Sequence, residues 1–446
     1  MPNPDTPPLQ QAMSASSKRL LANIRRIIPP MLEKFHKGQL GRVAVIGGSP
    51  ECVALVKPLL FPKIYQMSSY MILEELPVSF SIPELHIFPQ WHLQDLVYLP
   101  PFTQAFLFLW LKGAPELHTF RLTQFSKFLM IGCDMSHVIC EPSAATVIKG
   151  FSPNLMVHPI LQSSTTLSAL KTNPLPAPDI LTLAKPIISF LPRLHVLVIG
   201  PGLGRDPTTL QIVIEVLKEA RSRQMPVVLD ADALLLIQEH PDLVRGYPEC
   251  ILTPNVVEFA RLVKAIGVDV SSASANDAGQ SEACKRLSNA LGGVTIIQKG
   301  AHDIISNGIT SIVSDVRGGL KRSGGQGDTL TGTLGTMLAW RKAYHEGLWD
   351  TGESEAGERK AEPYEHDIEK ELFLSVDECS GGNGKRKKLS PPATLLLAAW
   401  AGSAITRECS RKAFVAKGRS MQASDLTDEV HRSFLDLIGE PEGPKL

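Results

Sequence analysis

Short runs of β-branched residues alternate with helical patterns along most of this chain, and no other feature constrains the fold as strongly. We predict strands at 137–140, 195–199, 226–229, 250–252, 294–297, 303–305 and 311–313. We predict helices at 207–223, 233–239, 256–265, 281–291, 328–340 and 393–408. Apolar strands that alternate with helices are typical of a parallel sheet. The sequence therefore predicts an α/β fold with a central, mostly parallel sheet flanked by helices on both faces.

Two segments do not fit this alternation and shape the expected domain organisation. Residues 50–131 are rich in Phe, Leu, Pro and His without a helical or strand period, and residues 341–392 are highly charged. We predict one catalytic domain over 31–438, with 50–131 as an anomalous insert and 341–392 as a charged, solvated loop. Residues 1–30 are expected to be a tail and the start of a helix, and residues 439–446 a C-terminal tail.

Composition argues against several classes of function. Lysine plus arginine and aspartate plus glutamate number 45 each, so no overall charge attracts nucleic acid or an anionic membrane. The seven cysteines are scattered without a CxxC pair, which disfavours a disulfide framework and fits a reducing compartment. We expect small-molecule ligands, with the cytoplasm as first location and the mitochondrion as second. The sequence leaves a homo-oligomer open.

The glycine-rich stretch before the helix predicted at 328–340 is the strongest chemical signal. Glycines at 324, 325 and 327 precede Asp328. Glycines permit positive φ angles, and a helix N-terminus carries a partial positive charge, so together they favour an anion site. A carboxylate at such a site can accept a proton from a hydroxyl that attacks phosphorus. The alternative is that Asp328 only caps the helix.

Glycines and carboxylates also follow two of the predicted strands. Gly200, Gly202 and Gly204 follow the strand at 195–199, but the sixth position of a dinucleotide fingerprint is Arg205 rather than glycine, which disfavours a dehydrogenase. Ligands of open α/β sheets bind at the carboxyl ends of strands. Asp230 and Asp232 follow the strand at 226–229, and either can hold Mg²⁺ through water or cap the next helix.

Two further motifs lie at the ends of predicted strands. Asn255 is placed to cap a helix, and Glu258 three residues later either binds Mg²⁺ through water or completes a capping box. Lys299 ends the strand at 294–297 together with Gly300 and can meet a phosphate, whereas we take His302 as structural or exposed.

These motifs occur in one order over residues 195–332, and that order resembles the ATP-dependent (S)-NAD(P)H-hydrate dehydratases of the ribokinase-like superfamily. The matching residues are Gly-Pro-Gly-Leu-Gly-Arg from 200, Val-Leu-Asp-Ala-Asp-Ala-Leu from 228, Leu-Thr-Pro-Asn-x-x-Glu-Phe-Ala-Arg from 252, Gln-Lys-Gly-Ala-x-Asp from 298 and Gly-Gly-Gln-Gly-Asp-Thr-Leu-Thr-Gly from 324. Residues 36–49 and 132–140 are similar to the family's first two strands.

The resemblance implies repair of hydrated NADH or NADPH with ATP and Mg²⁺. ATP would phosphorylate the ring hydroxyl, the phosphate would leave, and Asp328 would be the base and contact the substrate. The implied hydrate site is Gly202, Gly204, Asn255, Val256, Val257, Glu258, Phe259, Ala260 and Arg261, together with Asp328. The implied ATP site is Lys299, Gly300, Ala301, His302, Asp303, Gly318, Gly319, Leu320, Lys321, Arg322, Ser323, Gly324, Gly325, Gln326 and Gly327. Glu258 and Asp230 are the candidate metal ligands.

The segment at 50–131 departs from this family. A short tract with a Tyr-Thr-Gly-Ala-Pro-Tyr-like motif normally follows the first glycine turn, and a much longer, unlike segment stands here. We hypothesise a retained intron or gene-model error, and abundant transcript reads running straight across the segment would contradict it. If the segment is real, we expect the sheet edge and part of the substrate pocket to change, and the product could be inactive.

Two alternatives remain at this point. The first is a small-molecule kinase of the same superfamily, which would share the glycine-rich anion site but not the sequence motifs at residues 200–205 and 252–261. The second is a non-catalytic nucleotide-binding protein, which would bind ATP without turnover.

Overall fold

The computed structural model describes residues 13–49, 132–170, 178–271, 274, 276–354, 365–373 and 386–439. In these ranges, nine strands form one sheet in the order β3-β2-β1-β4-β5-β6-β7-β8-β9. Neighbouring strands are parallel from β3 across to β7, and β8 and β9 are antiparallel additions at one edge. The strands are β1 Arg42–Ile46, β2 Met135–Ile139, β3 Met156–His158, β4 Val196–Ile199, β5 Val227–Leu229, β6 Cys250–Leu252, β7 Thr295–Gln298, β8 Asp303–Ser306 and β9 Ser311–Ser314.

Helices connect the strands and cover both faces of the sheet. They are α1 Ala15–Ile24, α2 Pro142–Phe151, α3 Ser164–Leu170, α4 Ile180–Phe190, α5 Pro207–Ser222, α6 Asp232–Glu239, α7 Val256–Ile266, α8 Asp277–Ala290, α9 Gln326–His345, α10 Glu365–Phe373, α11 Pro391–Lys417, α12 Ala423–Asp428 and α13 Val430–Leu437. Within the described ranges, none of these helices is long and apolar enough to cross a membrane.

Alternate residues of each central strand enter two separate cores. In β1, Val43 and Val45 pack under α9 and α11, whereas Ala44 and Ile46 face the core covered by α4 to α8. Successive strand side chains point to opposite faces, so a strand buried on both sides must be apolar throughout. This explains the nearly continuous apolar runs in the sequence, and it confirms the prediction of a mostly parallel sheet covered on both faces.

Most of the predicted elements are present with shifted ends. The helix predicted at 281–291 begins earlier, at Asp277, because Asn276 accepts a hydrogen bond from the Gly279 amide. The helix predicted at 393–408 runs on to Lys417. The sequence analysis did not identify α2, α3, α4 or the three-residue strand β3, since these lie between 141 and 190, where the apolar pattern is short and interrupted.

The segment predicted as a solvated loop at 341–392 is partly regular, and that interpretation was too broad. Helix α9 continues to His345 and α10 occupies Glu365–Phe373. Arg341 lies in the interior, where its charge is neutralised because its guanidinium binds both oxygens of Glu249 at 2.6 and 3.0 Å. Residues 50–131, for which we hypothesise a retained intron or gene-model error, lie outside the described residues.

Candidate active site

The sequence motifs converge where the carboxyl ends of β1, β4, β5, β6 and β7 meet. The amides of Gly48 and Ser49, after β1, donate to the Gly202 carbonyl at 2.7 and 2.8 Å. Gly200 ends β4 with φ +123°, and a Cβ there would lie 1.8 Å from the Asp230 carbonyl oxygen. Only glycine fits at that position. The turn after β4 is therefore held tightly between β1 and β5.

Lys299 is the cation around which the site is organised. Its Nζ lies 2.8 Å from Asp230 Oδ1 and 4.0 Å from Glu258 Oε2. Burial lowers the pKa of Lys299, but Asp230, Glu258 and Asp328 act more strongly in the other direction, so the pKa is raised above 10.5. Lys299 therefore keeps its proton at neutral pH and presents a positive charge for a phosphate.

The glycine-rich start of α9 lies beside this cation. Gly325 caps the helix with φ +93°, a left-handed conformation that suits glycine. A Cβ at Gly327 would lie 3.0 Å from Asp230 Oδ2 and 3.7 Å from Lys299 Nζ. Asp328 is in the first turn of α9 and is 8% exposed. The arrangement thus joins a helix N-terminus, a lysine and a carboxylate, which are the elements of a phosphoryl-transfer site.

At the start of α7 the structure supports the capping alternative and leaves the ligand-binding one open. The Asn255 side chain accepts from the amides of Val257 and Glu258, and Glu258 Oε2 accepts from the Asn255 amide at 2.7 Å. The same Glu258 carboxylate faces Lys299. Val256 and Val257 are 58% and 59% exposed, whereas Phe259 is 6% exposed and packs in the core. The Phe259 side chain therefore anchors the helix, and the hydrate site at 255–261 stays a prediction.

The two aspartates after β5 have different roles. Asp230 pairs with Lys299 inside the site. Asp232 begins α6, and its Oδ2 accepts from the Gly204 amide at 3.1 Å while Oδ1 lies 3.9 Å from the exposed Arg205. Asp232 therefore stabilises the glycine turn, and Asp230 is the carboxylate that faces the centre of the site.

A cavity of about 480 Å³ extends from Lys299 along the glycine-rich loop. Many of the residues predicted for ATP line it: Lys299, Ala301, His302, Asp303, Gly318, Gly319, Leu320, Arg322, Gln326 and Gly327. Lys321 and Ser323 turn away, because Lys321 Nζ donates to the Arg419 carbonyl at 2.6 Å and Ser323 Oγ to the Met421 carbonyl at 3.0 Å. His302 lines the mouth with its Nδ1 2.8 Å from Asp277.

Five further residues line this cavity and were not predicted from the sequence: Arg317, Leu330, Thr406, Arg407 and Ser410. Three of them belong to α11, about 100 positions after Lys299, and no motif links such distant residues. Asp303, predicted as an ATP residue, binds one of them: its Oδ1 accepts from Arg407 Nη1 at 2.9 Å. Asp303 therefore lines the cavity and also fixes the position of Arg407.

Comparison with known proteins identifies the family. The model of a family described as NAD(P)H-hydrate dehydratase matches residues 126–365. An ATP-dependent (S)-NAD(P)H-hydrate dehydratase of Ajellomyces capsulatus is 63% identical over 440 residues, covering 97% of this chain and 100% of that protein. Proteins of the same name from Emericella nidulans and Schizosaccharomyces pombe are 53% and 36% identical, covering 97% and 96% of this chain and 97% and 95% of their own lengths.

Solved structures agree on the fold. A ribokinase-like superfamily protein of Enterococcus faecalis superposes with a TM-score of 0.51 at 14% identity, covering 94% of this chain and 95% of that chain. A hypothetical protein of Streptococcus mutans gives the same TM-score and identity, covering 94% of this chain and 98% of its own. With this architecture and relatives matched over nearly their whole length, the chain belongs to the family of ATP-dependent (S)-NAD(P)H-hydrate dehydratases.

Proposed function

We propose that this protein dehydrates the 6S hydrate of NADH or NADPH, consuming ATP and releasing ADP and phosphate. One observation carries the proposal: Asp328 lies in the first turn of α9, next to the glycines and the lysine that suit a phosphoryl group. A base in that position serves a reaction in which a substrate hydroxyl attacks phosphorus. The family membership then specifies which hydroxyl is meant.

We assign the chemical roles from the geometry. Asp328 takes the proton of the ring hydroxyl while the hydroxyl oxygen attacks the terminal phosphorus of ATP. Lys299 and the amides at the start of α9 stabilise the negative charge that shifts onto the phosphate oxygens. The phosphate then leaves the ring with the electrons of the C–O bond, and the neighbouring ring carbon loses a proton to water, so that its C–H electrons form the ring double bond of NADH or NADPH. Because Lys299 stays protonated, its charge is available throughout the reaction.

We propose Mg²⁺ as the second cofactor, held by Asp230 and Glu258. No group of three His, Cys, Asp or Glu side chains in the described part of the chain is arranged to hold a metal. Mg²⁺ usually takes one or two carboxylates together with phosphate oxygens and water, so the two carboxylates beside Lys299 fit an ion that arrives with ATP. When bound, the ion would neutralise phosphate charge.

The direct test is absorbance at 340 nm with enzymatically prepared NADH hydrate. We expect absorbance to rise when ATP and Mg²⁺ are present and to stay level when ATP is omitted. Asp328→Asn serves as the matched variant, because it keeps the shape of the side chain and removes its basicity. An absorbance rise that does not depend on ATP would contradict the proposal.

A further inference from the structure

One face of α11 carries three buried polar side chains, two of which, Arg407 and Ser410, line the nucleotide cavity. Ser403, Arg407 and Ser410 are spaced four and three residues apart, which places them on the same side of the helix. They are 0%, 8% and 7% exposed. We call these three residues the α11 clamp.

Arg407 connects two separate backbone stretches of the cavity wall. Its Nε donates to the Val316 carbonyl, before the glycine-rich loop. Its Nη1 lies 3.4 Å from the Gly300 carbonyl, and its Nη2 donates to the Ala301 carbonyl, both in the turn after β7. The planar guanidinium presents its donors in a fixed fork. One side chain therefore sets the distance between the 299–303 turn and the 316–327 loop.

Asp303 and the two serines complete the network. Asp303 Oδ1 accepts from Arg407 at 2.9 Å and from the Gly300 amide at 3.0 Å, and Oδ2 accepts from Ser403 Oγ at 2.7 Å. Ser410 Oγ accepts from the Gly319 amide at 3.2 Å. A Cβ at Gly319 would lie 2.4 Å from the Ser410 carbonyl oxygen, so the loop lies directly on the helix.

We infer that the α11 clamp positions ATP by holding the backbone of both cavity walls, with Arg407 as the positioning residue that joins them and Ser410 as the one that holds Gly319. A buried ion pair contributes little to stability compared with well-packed apolar residues, whereas its hydrogen bonds fix geometry. Here they orient the Gly300–Ala301 peptides and the loop that ends in the anion site. The inference rests on the proposed ATP site but does not depend on the identity of the second substrate.

The test compares Arg407→Lys with Arg411→Lys by calorimetric titration of Mg²⁺-ATP in the absence of hydrate. Arg411 is one turn further along α11 and bonds Glu408 of the same helix at 2.6 and 2.7 Å. Lysine keeps the charge opposite Asp303 but loses the fork. We expect Arg407→Lys to weaken ATP binding at least about tenfold, the effect of losing one or two buried hydrogen bonds. We expect Arg411→Lys to change ATP binding less than about twofold.

Steady-state kinetics separates positioning from general damage. For Arg407→Lys we expect the KM for ATP to rise while the KM for the hydrate stays near that of the wild type. ATP affinity within twofold of the wild type, or equal increases in both KM values, would overturn the inference.

If Arg407→Lys does not fold, Ser410→Ala gives a second test, because it removes only the acceptor for Gly319. We expect Ser410→Ala to weaken ATP binding about threefold. Unchanged binding would overturn the inference equally. A wild-type protein that binds ATP but leaves the hydrate unchanged would refute the proposed function, while the calorimetric difference would still decide the role of Arg407.

Discussion

The two halves of the active site are built in different ways. The proposed nucleotide side, consisting of the 299–303 turn and the 316–327 loop, is held by buried side chains of α11 that bond its backbone. The proposed hydrate side, consisting of the 200–205 turn and the start of α7, is held mainly by backbone hydrogen bonds and a capping box. Its two valines, Val256 and Val257, are more than half exposed. The nucleotide side is therefore shaped in advance, whereas the hydrate side offers an open surface for its substrate to cover.

The two halves meet at the Lys299–Asp230 pair. Lys299 begins the nucleotide side, and Asp230 supports the hydrate side through the close approach of its carbonyl to Gly200. Asp328, from α9, completes this junction. Breaking the Lys299–Asp230 pair should therefore affect both halves, whereas substitutions within one half should affect one substrate.

The largest effect is expected at Asp328. Asp328→Asn should lower kcat by about 10² or more, because a general base contributes roughly that factor. ATP affinity should change little, because the loops that hold ATP remain. Rates from the 340 nm assay and calorimetric ATP binding check the two parts separately. If Asp328→Asn keeps a third of the wild-type rate, Asp328 is not the base.

Breaking the Lys299–Asp230 pair should cost the most stability. Asp230 is 3% exposed, and Lys299→Met leaves its carboxylate without its cation. We expect the free energy of unfolding in urea to fall by about 3 kcal/mol. The double variant Lys299→Met with Asp230→Asn should recover part of that loss, because the unpaired charge is gone. If the double variant is no more stable than the single one, the pair is not coupled as described.

Removing the cap of α7 should affect the hydrate side alone. Asn255→Ala should lower the free energy of unfolding by about 1 kcal/mol and raise the KM for the hydrate more than that for ATP. Asp179→Ala is the matched control, since Asp179 caps α4 through the Thr182 amide at 2.6 Å and lies outside the site. The control should lose similar stability without a change in either KM, and an equal KM change in both variants would contradict the division into two halves.

A loss of stability in acid is expected to arise outside both halves. Burial is the main cause that lowers the pKa of His137 and His195 to about 4 and that of His345 to about 3, from 6.5. Below pH 6.5 the unfolded chain therefore binds protons that the folded chain does not, and stability falls as pH drops towards 4. We expect the Tm to fall over this range, and His345→Gln to reduce the slope. A Tm that stays constant from pH 7 to pH 5 would contradict this.

The sequence predicted the residues that meet at the carboxyl ends of the strands better than the residues of α11 that support the proposed nucleotide side. Gly200, Asp230, Asn255, Lys299 and Asp328 each belong to a short motif at the end of a strand or the start of a helix. Strand ends of a parallel sheet share one edge, so local patterns were enough to bring these residues together. The sheet itself was predictable for the same reason, since strands buried on both faces have a distinct composition.

Arg407 and Asp303 show why the rest was not predictable. Asp303 was expected to contact ATP and it lines the cavity, but its bonds to Arg407 and Ser403 could not be predicted because they join residues 104 and 100 positions apart. An arginine inside a long apolar helix resembles an ordinary surface residue until the packing is known. The partly helical segment at 341–392 was missed similarly, because its charged side chains, such as Arg341, are neutralised by distant partners like Glu249.

The central claim is that phosphorylation and elimination both occur at this site, and product stoichiometry tests it most directly. NADH formed would be followed at 340 nm while ADP and phosphate are measured in the same reaction with the 6S hydrate. We predict equal amounts of NADH, ADP and phosphate throughout. ADP formed together with a stable phosphorylated product, with no gain in absorbance, would contradict the claim and identify the protein as a small-molecule kinase.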